Sequence, residues 1–423
     1  MSSGGILSLP NELLIAIATA GQGGSVAVQQ LRPEWSLSQV CRRFRDIIVG
    51  APVLWTLIEL DLHSDMLADI ANLYFTRSQA CHLRTILREC KDTDDELIAE
   101  RLSVIVPHIH RIRQLRIFLF ANPQIALAPL RHVAAPNLER LEIRNTLEAF
   151  EMNPVEIFSL GAPMLTFICM KCITPHFPVP WAAALTHLKL HRDGEWRDSS
   201  SSLAATITTQ CLCLAHLSLS VVYLEMGRLH LPFLERLHIE IPEEDQHHLL
   251  AIFDLFDTPA LAEFTISGTH ADQILVLFNS TSLPHSSFPA LTSLTFVNGS
   301  CACRVIPADA HPITSAPRLF PALSSLSLIH QCFTPHLVTG IFASASTWPL
   351  LQTLTLCPPG HRSLDDVCEA LWNARHAKAR TLPKVRLSAP LLARILSREK
   401  EEEEKSGMDM EFFDPSQLIS AFR

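Results

Sequence analysis

Histidine and cysteine are the side chains that most often ligate metals or serve as base and nucleophile. This chain of 423 residues carries 20 of the first and 12 of the second. Their spacing gives them little chemistry in common. "CLC" (Cys211–Cys213) and "CACR" (Cys301–Arg304) set their thiols one residue closer than a zinc pair requires. His247 and His248 are adjacent, so on a helix they do not share a face. His187 and His191 lie two strand steps apart on one face, about 13 Å along the strand, too far to hold one metal. The chain contains neither a G-x-S-x-G elbow nor an H-E-x-x-H pair. Asp365 and Asp366 sit in the first turn of an expected helix, where they suit its dipole. The glycine-rich "AGQGGS" (Ala20–Ser25) follows no strand and leads to no Gly-Lys-Ser/Thr, so it reads as a linker, not a phosphate cradle. We therefore expect no catalytic residues, no cofactor and no metal. An enzyme with a site assembled from distant residues leaves no local trace and stays open as a remote reading.

Composition narrows the classes further. The chain is 48% hydrophobic and 18% charged, with net charge −9, which suits a large core and excludes a disordered chain. Much of the negative charge falls in "REKEEEEK" (Arg398–Lys405). No basic excess points to nucleic acid. No apolar run approaches the roughly 18–20 residues that span a bilayer, and Met1–Pro10 has no basic start or apolar core of a signal peptide. Scattered cysteines are then expected as reduced thiols in an intracellular protein, cytoplasmic or nuclear.

The elements that position these residues are set by a repeat. The pattern P-x-L-x-x-L-x-L recurs from "RIRQLRIFL" (Arg111) through "APNLERLEIRN" (Ala135) and "FPALTSLTFVN" (Phe288) to a degenerate "LPKVRLS" (Leu382). Its second apolar position falls at Leu115, Leu141, Ile168, Leu188, Leu217, Leu237, Phe264, Leu294, Leu326, Leu354 and Val385, a step of about 27 residues in the leucine-rich-repeat range. The closing apolar–polar alternation is that of a half-buried strand. Proline precedes it, where no ladder donor is needed. Helical stretches fill the intervals, among them Gln246–Phe256, Ala271–Phe278, His336–Ala345 and Ser363–Arg375, the last with a capping box. The expected fold class is α/β: a short N-terminal helical module followed by an irregular leucine-rich-repeat solenoid with a curved parallel sheet. The expected map is a helical module over 1–60, with an insertion at about 20–34, a helical linker or cap over 61–110, the repeats over 111–390, and a C-terminal helix and acidic tail over 391–423.

The N-terminal module has its own pattern. In "LPNELLIAIA" (from Leu9), Pro10 suits a first helical turn, and Leu13, Leu14 and Ile17 are expected on one face. "SLSQVCRRFRDIIVG" (from Ser36) reads as one helix. Its apolar side is Leu37, Val40, Cys41, Phe44, Ile47 and Ile48, and Gly50 and Pro52 end it. So few residues make a very small core, which needs a partner or a neighbouring domain to cover it. "LPNELLIAI", "SLSQVCRRFRDII" and "APVLW" together resemble an F-box, in the form common in fungal F-box families, over roughly Leu9–Leu60. The resemblance implies binding to a Skp-type adaptor and, through it, a cullin complex. The adaptor surface would be formed or supported by Leu9, Pro10, Leu13, Leu14, Ile17, Val40, Cys41 and Phe44, with Trp55 at the junction to the repeats. The implied function is that of a non-catalytic substrate-receptor subunit of a ubiquitin ligase, directing a target to ubiquitin-dependent degradation. The alternative is a leucine-rich-repeat interaction scaffold outside any ligase, with the helices serving only as a cap.

Residues alternating with the buried leucines face outward on the sheet. In the early repeats this face is basic and histidine-bearing; in the later ones it is small and neutral. The expected partner-binding residues are Arg116, Phe118, Arg140, Arg144, Phe167, Lys171, His187, Lys189, His191 and Arg236. Arginine suits a carboxylate or phosphate, and exposed aromatics anchor interfaces. An acidic or phosphorylated segment of an unknown target protein is one reading of this face; a merely solvated sheet is the other. "MEFFDPSQLISAF" (from Met410) is expected either to pack back on the last repeat or to dock a partner.

Overall fold

The structure is a computed structural model. It describes residues 9–22, 32–89, 94–146, 154–173, 175–176, 181–191, 200–220, 228–241, 249–280, 288–297, 316–329, 338, 341, 348, 350–358, 368–369, 371, 384–401 and 410–413. Outside these lie His247, His248, Cys301, Cys303, Asp365, Asp366, residues 402–405 of the acidic run, and most of the helices expected over 336–345 and 363–375. The described residues form two compact units, Met1–Leu185 and Thr186–Arg423.

The first unit opens with helix α1 (Asn11–Gln22), seated on Pro10 through the Leu14 amide. It runs through Ala20–Gln22, where the glycine-rich stretch was expected to break it. Its buried residues are Leu14 and Ala18. Leu13 and Ile17, on the same helix, are each half exposed. The single helix expected from Ser36 is two helices, α2 (Pro33–Val40) and α3 (Arg42–Val49). Cys41 between them is fully extended (φ −160°, ψ 169°), and its carbonyl starts α3 by accepting from the Arg45 amide. An extended N-cap residue is the normal way to start a helix, and apolar spacing alone does not register it. The start of α2 at Pro33 also falls inside the insertion expected at 20–34.

A 3₁₀ turn, Pro52–Trp55, leads into β1 (Leu57–Asp61), then α4 (Leu67–Arg77), β2 (Leu83–Arg88) and α5 (Asp95–Leu102). The span 61–110 is therefore not purely helical, because β2 lies inside it. There follow β3 (Ile112–Leu119), the single turn α6 (Pro123–Ala126), β4 (Arg140–Asn145), β5 (Val155–Glu156), β6 (Phe167–Lys171) and β7 (Pro175–His176). Strands β1, β2, β3, β4 and β6 make a parallel sheet in that order. β5 and β7 pair separately.

The second unit repeats the scheme. Its elements are β8 (His187–His191), α7 (Ser200–Gln210), β9 (His216–Ser220), β10 (Leu229–His230), β11 (Arg236–Glu240), α8 (Leu249–Leu255), β12 (Phe256–Asp257), β13 (Glu263–Ser267), α9 (Ala271–Asn279), β14 (Ser293–Val297), α10 (Ala316–Leu319), β15 (Ser325–Ile329), β16 (Thr353–Cys357), β17 (Lys384–Leu387), α11 (Ala389–Glu401) and β18 (Met410–Phe412). Nine of these strands form a parallel sheet, β8-β9-β11-β13-β14-β15-β16-β17-β18; β10 pairs with β12. β18 lies against β17, with Met410 opposite Val385, so at 410–412 the chain does return to the last repeat. Gly268 ends β13 at φ +82°. A side chain there would meet the Ile241 carbonyl oxygen at 1.8 Å.

The leucine row keeps register within each unit. Leu115, Leu141 and Ile168 stand opposite one another in the first. Leu188, Leu217, Leu237, Phe264, Leu294, Leu326, Leu354 and Val385 do so in the second. All are buried, each contributing roughly 1.5–3 kcal/mol. A phenylalanine cluster packs behind the row in the second unit. Phe253 lies 5.2 Å from Phe264 and 5.6 Å from both Phe288 and Phe320, centroid to centroid. The result is a repeat-like α/β architecture on parallel sheet, with the period read from the sequence. Among the described residues no helix is long and apolar enough to cross a membrane.

Candidate functional site

The N-terminal helices sort their apolar residues into two sets. Leu14, Ala18, Phe44 and Ile48 are buried; Leu13 (50% exposed), Ile17 (50%) and Val40 (61%) are open. Of the residues expected at an adaptor surface, Leu14 and Phe44 are thus enclosed in the protein and have no surface to offer. Leu9 and Cys41 are half-buried and Pro10 is exposed. A polar network ties α1 and α2 to the first repeat. Tyr74 on α4 donates to Glu34, and Trp35 donates to Tyr74 at 2.9 Å. Gln22 donates to Glu34 at 3.0 Å and to the Leu54 carbonyl at 2.7 Å, and Arg32 reaches the Glu59 carbonyl. Burial raises the Tyr74 pKa, so the phenol stays neutral and a donor.

The outward face of the first unit's sheet gathers three arginines on one carboxylate. Arg116 stands directly opposite Glu142 in register. Arg140 and Arg144 flank Glu142 on β4, two residues to either side, and strand alternation puts all three on one face. Arg144 Nη2 lies 2.8 Å from Glu142 Oε1; Arg116 Nε and Arg140 Nη2 lie 3.2 Å and 4.0 Å from Oε2. The Glu142 side chain is 6% exposed, whereas the three arginine side chains are 34–39% exposed. Two rings shelve the cations. Arg140 stacks 3.6 Å from the Phe167 centroid, and Arg88 and Arg144 sit 4.8 Å and 5.9 Å from that of Phe118, the cation–π geometry. Burial, and then the neighbouring Arg116 and Arg144 charges, hold the Arg140 guanidinium below its ordinary pKa against the pull of Glu142. Its Nε is buried with no partner among the described residues. Glu142 as the hub escapes a reading that looks only for basic residues, but the alternation in "RLEIR" (Arg140–Arg144) carries the signal. Lys171 is half-buried on β6, directly opposite Arg144.

In the second unit the face carries a histidine ladder. His187 and His216 stack at 4.0 Å with 7° between planes. Ser218 Oγ lies 3.0 Å from His238 Nδ1 and 3.4 Å from His191 Nε2; His238 Nε2 lies 3.0 Å from Ser267 Oγ. His191 Nδ1 lies 3.4 Å from Glu240. Burial, reinforced by His191, pushes the His238 pKa down to about 4; burial and Arg236 lower that of His216. Arg236 pairs with Glu263 at 3.2 Å, and Lys189 lies opposite Ser218. Ser218, His191 and Glu240 have the order of a hydrolytic triad. The backbone around Ser218 lies within the parallel ladders on both sides, so its own amides are not free to serve as oxyanion donors. Among the described residues no group of three or more His, Cys, Asp or Glu side chains is placed to hold a metal ion.

No family model matches this chain, and no curated protein matches it. Among solved structures it is similar to the crystal structure of a Bacteroides fragilis protein determined as a structural-genomics target. That likeness has 11% identity and TM-score 0.30, over 80% of this chain and 78% of the other.

Proposed function

We propose that the chain is the substrate-receptor subunit of a cullin-based ubiquitin ligase, an F-box protein with irregular leucine-rich repeats and no catalytic activity of its own. The N-terminal helices would bind a Skp-type adaptor, and the outward sheet faces would take the target. The observation that carries this reading is the division of the N-terminal apolar residues. Leu14, Ala18, Phe44 and Ile48 supply the module's core, so Leu13, Ile17 and Val40 are surplus to it. Exposed apolar residues on α1 and α2 are what a docking surface presents.

The scaffold reading draws on a different observation, the Gln22–Glu34–Tyr74 network, which fastens the helices as a cap would be fastened. Capture of a purified Skp-type adaptor by the full chain separates the two. We expect capture by the native chain and its loss in the Leu13→Asp, Ile17→Asp double variant, with the thermal transition unchanged. A native chain that captures no adaptor leaves the cap reading and removes the ligase one.

A further inference from the structure

We propose that Ser267, His238, Ser218, His191 and Glu240 form one directional hydrogen-bond chain across the outward face of the second unit, and that uptake of a single proton reverses the chain as a whole. Every member lies in the second unit, so this proton-set switch is independent of the adaptor reading of the N-terminal helices.

The strands that carry the chain, β8, β9, β11 and β13, are neighbours in that order, and strand alternation puts all five side chains on one face. Ser267 Oγ lies 3.0 Å from His238 Nε2, and His238 Nδ1 lies 3.0 Å from Ser218 Oγ. Ser218 Oγ lies 3.4 Å from His191 Nε2, and His191 Nδ1 lies 3.4 Å from Glu240 Oε2. The direction is fixed from the carboxylate end. An ionised carboxylate only accepts, so His191 Nδ1 carries the proton and its Nε2 accepts. Ser218 has one proton, which it donates to His191, and it accepts from His238 Nδ1. His238 Nε2 is then an acceptor, and Ser267 donates to it. Both neutral rings are therefore Nδ1–H tautomers, each set by the bond that its other nitrogen makes.

A further proton can be held by only two accepting nitrogens, His191 Nε2 and His238 Nε2. Burial, reinforced by His191, keeps His238 neutral down to about 4. His191 faces the Glu240 carboxylate, so the charge comes to rest there. Ser218 cannot donate to a protonated Nε2, and the whole chain must answer. Ser267 takes a proton from solvent and passes its own to His238 Nε2. His238 passes its Nδ1 proton to Ser218, and Ser218 passes its own to His191 Nε2. One proton enters, and every bond from Ser267 to His191 changes direction. His238 stays neutral but becomes the Nε2–H tautomer. Ser267, half-buried, changes from donor to acceptor toward the ring, which turns its hydroxyl proton to any acceptor that approaches the face, three strands from His191. The other charged or titratable groups around these rings are His187, Lys189, His216, Glu235, Arg236 and Glu263. They stand outside the chain: His187 stacks on His216, and Arg236 pairs with Glu263.

The test is the tautomer of each ring, read from two-bond proton–nitrogen correlation spectra of the full chain labelled with ¹⁵N. His191→Gln and His238→Gln assign the two rings. At about pH 7.5 both rings are expected as Nδ1–H tautomers. As the pH falls toward about 5, His191 should gain its second proton while His238 changes to the Nε2–H form at the same midpoint. In Ser218→Ala, His191 should still take up its proton but the His238 tautomer should no longer follow. Ser218→Thr keeps a hydroxyl on a strand-compatible side chain and should restore the linkage, so a misfolded alanine variant leaves the native and threonine chains to decide. An Nε2–H tautomer of His238 already at the higher pH would overturn the proposal. So would midpoints of the two rings that differ by about tenfold or more in proton concentration, or a linkage that survives in a folded Ser218→Ala chain.

Discussion

The indole N–H of Trp55 donates to the backbone carbonyl of Ile48 at 2.9 Å, seven residues back in the chain. That bond closes the end of α3 onto the turn that starts β1. Trp55 also meets Tyr74 edge-on at 5.1 Å and lies under Arg77 at 4.2 Å, and it is 1% exposed. Trp55→Phe keeps the ring contacts and removes one of the bonds that the Ile48 carbonyl accepts, leaving that from the Ala51 amide at 3.3 Å, and should cost about 0.5–1.5 kcal/mol. Trp55→Ala should cost about 3–5 kcal/mol. Chemical denaturation of the two variants checks the order. No loss in Trp55→Phe would mean that the hydrogen bond contributes nothing, and equal losses would mean that the ring contacts contribute nothing.

Leu13 and Leu14 are neighbours with opposite roles. Leu14 is 5% exposed and Leu13 50% exposed. Leu14→Ala should destabilise by about 2–5 kcal/mol, while Leu13→Ala should stay within about 0.5 kcal/mol of the native chain. Thermal unfolding distinguishes them. A large loss on replacing Leu13 would mean that the side chain is part of the core, not of a docking surface.

Acid should loosen the second unit through His238. Burial lowers its folded pKa to about 4 from an ordinary value of 6.5, so the folded state favours the neutral ring. Its stability contribution is whole above pH 6.5 and declines as pH falls from there toward 4, because only the unfolded chain takes up the proton. His216 shifts in the same direction. The charged and titratable groups around them are His187, Lys189 and His191 on β8, Arg236 and Glu240 on β11, Glu263 on β13, and Glu235 just before β11. His238→Gln retains a side chain that can hydrogen-bond Ser218 and Ser267. It should flatten the fall in melting temperature between pH 7.5 and 5. An equally steep fall would place the acid sensitivity elsewhere.

The architecture was legible where local chemistry and tertiary register agree. The row from Leu115 to Val385 could be placed because strand alternation, the preceding proline and the period all point to the same residues. β2 escaped because "CHLRTILR" has no proline and puts Thr85 where its neighbours have leucine or isoleucine. The break at Cys41 escaped because an extended cap leaves no mark on apolar spacing. The basic face was legible as composition. Its organisation around Glu142 was not, since it depends on which residue of β3 stands opposite which residue of β4.

Thr85 turns that exception into a prediction. In register it stands between Ile58 and Leu115, within the row that is apolar in the other repeats. It is 1% exposed, and its hydroxyl has no hydrogen-bond partner among the described residues. Burying such a group without a partner costs about 1–3 kcal/mol. Valine has nearly the same shape and is at least as suited to a strand. Thr85→Val should therefore raise stability by about 1 kcal/mol or more, against the general trend for core substitutions. Urea denaturation gives the answer directly: a higher midpoint at unchanged slope supports the unsatisfied hydroxyl. A lower midpoint would mean that the hydroxyl is satisfied in solution, and that threonine holds this position in the row for the bond it makes.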